Sequence, residues 1–121
     1  MAKLAPDEMN RRLGRALQIA GGTHTPADVA QAVKDGRMQA WTEGESLVVT
    51  EVLQFPQANA LNVFLAVGNL DEVMSIQPRI EAFGKAHGCK VLRMEGRKGW
   101  RKVLPRYGWN EDHKVIYERA L

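Results

Sequence analysis

The apolar positions of this chain change period three times. From Asp7 to Ile19, and on to Ala20, Met9, Leu13, Ala16, Leu17 and Ala20 recur at helical spacing, and Gly21-Gly22 stop the run. This predicts one amphipathic helix. A second begins in "THTPADVAQAVKDGR": Thr25 can cap, Pro26 suits the first helical position, Asp28 completes a capping box, and Gly36 ends it. Val29, Ala32 and Val33 form its apolar stripe. The period then shortens to that of strands in "MQAWTEG", "SLVVTEVLQF" and "LNVFLAVG". Turns at Glu43-Gly44-Glu45 and Pro56-Gln57-Ala58-Asn59 make these three sequential antiparallel strands. Beyond Gly68, "NLDEV" reads as a loop and "SIQPRIEAFGKAHG" as a helix with Ile76, Ile80, Phe83 and Ala86 on one face and Pro78 in its first turn. "CKVLRMEG" follows as a strand, "RKGWRKVL" as a short helix, and "HKVIYERAL" as a final strand.

Composition narrows the class. A chain of 121 residues, 45% hydrophobic and 26% charged, suits one globular domain with a single core. Its expected parts are a helical section over 1–37, antiparallel strands over 38–68, and helix–strand–helix–strand over 69–121. No apolar run approaches the roughly 20 residues that span a bilayer, and "MAKLAPDEMNRRLGRALQIAGG" carries charges where a signal peptide has its apolar centre. A soluble protein with no membrane partner is expected. Cys89 is the one cysteine, so no internal disulfide can form, and it reads as a small core residue. His24, His87 and His113 lack metal-ligand spacing, so no metal is expected.

Charge is placed unevenly. Residues 1–78 hold six Lys/Arg against nine Asp/Glu, and residues 79–121 hold eleven against five. The basic part centres on "MEGRKGWRKVLPRYGW". Trp100, Val103 and Leu104 fall at helical spacing and are expected to pack, leaving Arg97, Lys98, Arg101, Lys102 and Arg106 outward as a partner-binding face. Gly96, Gly99, Trp100, Gly108 and Trp109 are the expected structural residues, with Gly96 ending a strand, Gly99 letting the helix start near the sheet and Gly108 closing the helix.

The order of elements resembles the GCN5-related N-acetyltransferase (GNAT) fold, most specifically from about Met38 to Leu121, where "AFGKAHGCKVLRMEGRKGWRKVLPRYGW" follows the family layout through Tyr-Gly-Trp. The resemblance implies an α+β, GNAT-like single domain. Its central, mostly antiparallel mixed sheet would carry two N-terminal helices, a main helix and a short C-terminal helix. It also implies an acetyl-CoA site at the entrance to the main helix, where the family motif is Gln or Arg, two residues, Gly, one residue, then Gly or Ala. Here that place reads "VGNLDEVMSIQPRI": one glycine, Gly68, with Asp71 and Glu72 where phosphate would sit. No cofactor is therefore expected. An active form would use Val67, Gly68, Asn69, Leu70 and Tyr107, with Tyr107 in the place of a thiolate-protonating tyrosine and Glu51 as a strand-borne carboxylate.

"Gly96-Arg97-x-Gly99-Trp100", with Leu104 and the ending "YERAL", is similar to small bacteriophage acetyltransferase-like and internal virion proteins. That resemblance implies a non-catalytic virion-associated structural or assembly protein, with no catalytic residues. It would lie in the virion, and in the host cytoplasm during assembly. Its partners would be other virion proteins, docked head to tail or within the capsid, or nucleic acid through the basic face. An acetyl-CoA-dependent N-acetyltransferase and a nucleic-acid-binding accessory protein are the two alternatives.

Overall fold

The computed structural model describes residues 6–19, 21–96, 98–112 and 114–121. Two helices, α1 (Pro6–Ile19) and α2 (Pro26–Lys34), precede three strands, β1 (Gln39–Glu43), β2 (Ser46–Gln54) and β3 (Asn59–Val67). Helix α3 (Leu70–Ala86) leads to β4 (Cys89–Met94), and two short 3₁₀ helices follow at Lys98–Lys102 and Leu104–Tyr107. The strands lie in sequence order, antiparallel from β1 to β3, with β4 parallel to β3. This is the expected α+β domain with a mixed sheet.

Each face of the sheet has its own core. Leu47, Val49 and Leu65 meet Leu13, Ala16 and Leu17 of α1 and Val29 of α2. Val48, Leu61 and Val63 meet Val73, Ile76 and Ile80 of α3 on the other face. Helix α2 starts as the sequence predicts: Thr25 Oγ1 accepts from the Asp28 amide (3.2 Å) and Asp28 Oδ2 accepts from the Thr25 amide (2.9 Å).

Four expectations are corrected. Helix α3 begins at Leu70 rather than after "NLDEV", because Asn69 caps it by accepting from the Glu72 amide (2.9 Å) and the acidic Asp71 and Glu72 suit a helix start. Pro78 consequently lies in the helix interior rather than its first turn, with an exposed ring. The short helix after β4 is two 3₁₀ segments, and residues 114–121 form no strand although "KVIYE" has strand character.

The joint between β3 and α3 is tight. Gly68 has φ +120°, and a Cβ there would lie 2.7 Å from Ser46 Cα, a backbone atom unable to give way. Gly68→Ala therefore combines backbone strain with a clash. Its urea midpoint should fall well below that of the wild-type protein, and an unchanged midpoint would mean that the joint is loose.

Candidate active-site cleft

The site begins with a register defect. Val49 faces Leu65 across β2 and β3, but Thr50 faces Val63, so Phe64 is an extra residue on β3. A bulge of this kind leaves main-chain groups outside the ladder and turns the strand. The side-chain alternation shifts with it: Leu61 and Val63 face α3, whereas Phe64 and Leu65 both pack toward α1. Pairing of β3 with β4 also stops at Val63–Met94. The two parallel strands part beyond the bulge, and a cleft of about 190 Å³ opens there. Phe64, Leu65, Met94, Glu95, Trp100 and Ile19 are among the residues around it.

A polar row crosses the sheet below the cleft. Glu51 on β2 faces Asn62 on β3, which faces Arg93 on β4. Asn62 Oδ1 is buried and accepts no hydrogen bond, an acceptor left open where most buried groups are paired. Glu51 is half-buried, and burial pushes its carboxyl above the ordinary glutamate range; His24 pulls it back and Glu95 pushes it further up. Glu95 lines the cleft, and the His24 ring stands edge-on to Phe64 of the cleft wall with centroids 4.7 Å apart. The α1–α2 loop, β2, β3 and the end of β4 thus place a carboxylate of raised pKa on the same face of the sheet as the opening.

The residues proposed from sequence occupy several places. Val67, Gly68, Asn69 and Leu70 form the β3–α3 joint, outside the cleft lining. Tyr107, 38% exposed, stands on the second 3₁₀ helix and does not line the cleft either. Trp100 is half-buried and walls the cleft, where the sequence predicted a core residue. Trp109 packs on the α3-side core and its Nε1 donates to Gln77 Oε1 (3.0 Å). Gly96 lies against Trp100, whereas a Cβ at Gly99 would meet nothing within 4 Å, so no close approach calls for glycine there. Gly108, at φ +85°, ends the second 3₁₀ helix. Arg101, Lys102 and Arg106 are exposed, and Arg101 is paired with Glu111 (2.6 Å); Arg97 and His113 lie outside the described residues, and Lys98 opens the first 3₁₀ helix. Cys89 is half-buried at the edge of the α3-side core. Among the described residues no cluster of potential metal ligands occurs, and no helix is long and apolar enough to cross a membrane.

Sequence reasoning missed Asn62, Phe64 and Glu95. Asn62 left a trace, as the one polar side chain inside "ALNVFLAV". Phe64 left none, because a bulge within an apolar run breaks no visible pattern.

No family model and no curated protein matches the sequence. Solved structures do match the fold. A Trypanosoma brucei acetyltransferase is 7% identical with a TM-score of 0.64, covering 96% of this chain and 96% of that one. A GNAT family acetyltransferase from Staphylococcus aureus is 12% identical with a TM-score of 0.57, covering 97% and 95%. An aminoglycoside N-acetyltransferase in complex with CoA is 10% identical with a TM-score of 0.64, covering 96% and 91%. The fold is GNAT-like. The expectation of a non-catalytic virion protein is overturned: these neighbours are acetyltransferases, and nothing among them indicates a bacteriophage or virion component.

A CoA donor would also need a seat for its diphosphate, and the start of α3 does not fit one. The Asn69 amide is spent on Ser46 Oγ (3.0 Å) and the Glu72 amide on Asn69 Oδ1 (2.9 Å). The Glu72 carboxylate lies there itself, accepting from Ser46 Oγ (2.8 Å) and Asn69 Nδ2 (2.6 Å). At 4 Å, a like charge near a protein surface opposes a phosphate by about 1 to 4 kcal/mol, against the 0.3–1 kcal/mol or so that a helix N-terminus offers. The repulsion wins.

Proposed function

We propose that the protein transfers an acyl group from a thioester to an amine in the cleft where β3 and β4 part. The observation that carries this reading is the opening at the Phe64 bulge, with Glu51 near it on the neighbouring strand, its pKa raised by burial and by Glu95 of the cleft wall. Likeness of fold to acetyltransferases supports the same reading.

In this scheme the amine nitrogen attacks the thioester carbonyl carbon and Glu51, directly or through one water, takes the proton that the nitrogen loses. A raised pKa suits the task, because a base is most useful when its pKa lies near the working pH. The carbonyl oxygen gains charge as the tetrahedral intermediate forms, and main-chain groups freed by the bulge can stabilise it. The C–S bond then breaks and the thiolate leaves with a proton from water. The donor is held by its acyl–thioester arm, since the start of α3 does not seat a diphosphate.

Thiol release from S-acetyl-N-acetylcysteamine and from acetyl-CoA, each offered with a panel of primary amines, tests both parts. Comparable kcat/KM values for the two donors are expected, with calorimetry showing no micromolar affinity for acetyl-CoA. A large preference for acetyl-CoA would overturn the account of the α3 start, and transfer from neither donor would overturn acyl transfer.

A further inference from the structure

The short loop between α1 and α2 is tied at both ends. Gly21 and Gly22, both at positive φ, turn the chain out of α1, and the Gly22 amide donates to the Leu17 carbonyl (3.0 Å). Thr25 then caps α2 through its reciprocal bonds with Asp28. Thr23 and His24 lie between these two fixed points, and Thr23 Oγ1 shares a hydrogen bond of 2.7 Å with His24 Nδ1. The His24 ring is thereby set in place, half-buried and edge-on to Phe64. Phe64 is the residue that the β2–β3 register passes over, and it lines the cleft. A bulged residue takes its direction less from the ladder than from what packs against it, and here that includes the imidazole.

We propose, building on the acyl-transfer reading, that His24 is a positioning residue of the cleft: its ring braces Phe64 at the bulge and its positive charge acts on the Glu51 carboxylate. The charges around it set the direction of the effect. Asp28 on α2 is held low by its bonds with Thr25 and drawn further down by His24. Glu51 on β2 is pushed up by burial, pulled back by His24 and pushed up again by Glu95 on β4, which itself lies 4.0 Å from Arg93. Of the charged neighbours that act on Glu51, His24 therefore favours the ionised form and Glu95 opposes it. The ionised form is the one that accepts a proton, so a single loop residue links the shape of the opening to the charge of its base.

Two substitutions separate the brace from the charge. His24→Phe keeps a ring against Phe64 and removes the charge. By NMR of its side-chain carboxyl, Glu51 should then titrate at a higher pH than in the wild-type protein, and the acid limb of kcat/KM should move up with it at an unchanged KM for S-acetyl-N-acetylcysteamine. His24→Ala removes the brace as well, and KM for that thioester should rise, by up to about 10²-fold if Phe64 is displaced by an ångström or so. An unmoved Glu51 midpoint in His24→Phe, or a wild-type KM in His24→Ala, would overturn the proposal. A wild-type protein that transfers no acyl group would sink the acyl-transfer reading instead, whereas the Glu51 midpoint, read without turnover, still decides whether His24 acts on it.

Discussion

Glu51→Gln should lower the rate of acyl transfer by about 10²- to 10⁴-fold, the usual contribution of a positioned general base, while raising the melting temperature at neutral pH. The two effects share one cause. Burial lifts the Glu51 pKa above its ordinary value of 4.5, so the folded protein resists its ionisation. Its contribution to stability is complete below the ordinary glutamate pKa and is lost as pH rises through the raised value. Glutamine has no such loss, hence the gain in stability at pH 7. For catalysis the direction reverses, because only the ionised carboxylate accepts a proton: kcat/KM should climb with pH through an apparent pKa above 4.5, and this limb should vanish in the variant. A variant with wild-type activity would remove Glu51 from the chemistry, and one that melts lower would show that the carboxylate is structurally paired.

Ile76→Ala should cost about 2 to 5 kcal/mol of stability, a large part of the roughly 5 to 15 kcal/mol that holds a domain of this kind together. Ile76 is 0% exposed and sits between Val73 and Ile80 of α3 and Val48, Leu61 and Val63 of the sheet. Truncation leaves a cavity that backbone on both sides is too well tied to fill. Urea unfolding with an unchanged m-value would measure the loss as a shift of midpoint. Trp100→Ala should cost less, since Trp100, which the sequence predicts as a packing residue, is half-buried at a cleft wall rather than enclosed in a core. A loss below about 1 kcal/mol at Ile76 would mean that α3 is not clamped to the sheet.

What was legible in the sequence follows from the range of the forces involved. The Thr25-Pro26-Asp28 start of α2 uses contacts three residues apart, and it could be read directly. Alternation in β1 to β3 showed the strands for the same reason. Asn69 with Glu72 had the spacing of a cap, but holding Pro78 to the first helical turn put the helix start late and left "NLDEV" as a loop. The bulge at Phe64 depends on how β3 meets β2, a relation between distant residues that leaves no local mark. Glu51 shows the same limit: the sequence marks a strand-borne carboxylate, while its burial and the neighbour Glu95 arise only in the folded chain. Residues 114–121 show the converse, a readable strand pattern whose partner is not specified by the pattern.

The Glu72 carboxylate has a mechanical consequence. One of its oxygens accepts from the Glu45 amide (3.3 Å), the Ser46 hydroxyl and the Asn69 side chain, so the β1–β2 turn, the start of β2 and the head of α3 meet at a single atom. That corner moves as one body. Trp100, at the cleft wall, rests instead on Gly96, with no comparable junction among the described residues, so the joint of β3 with α3 is pinned at one oxygen while the segment after β4 is not.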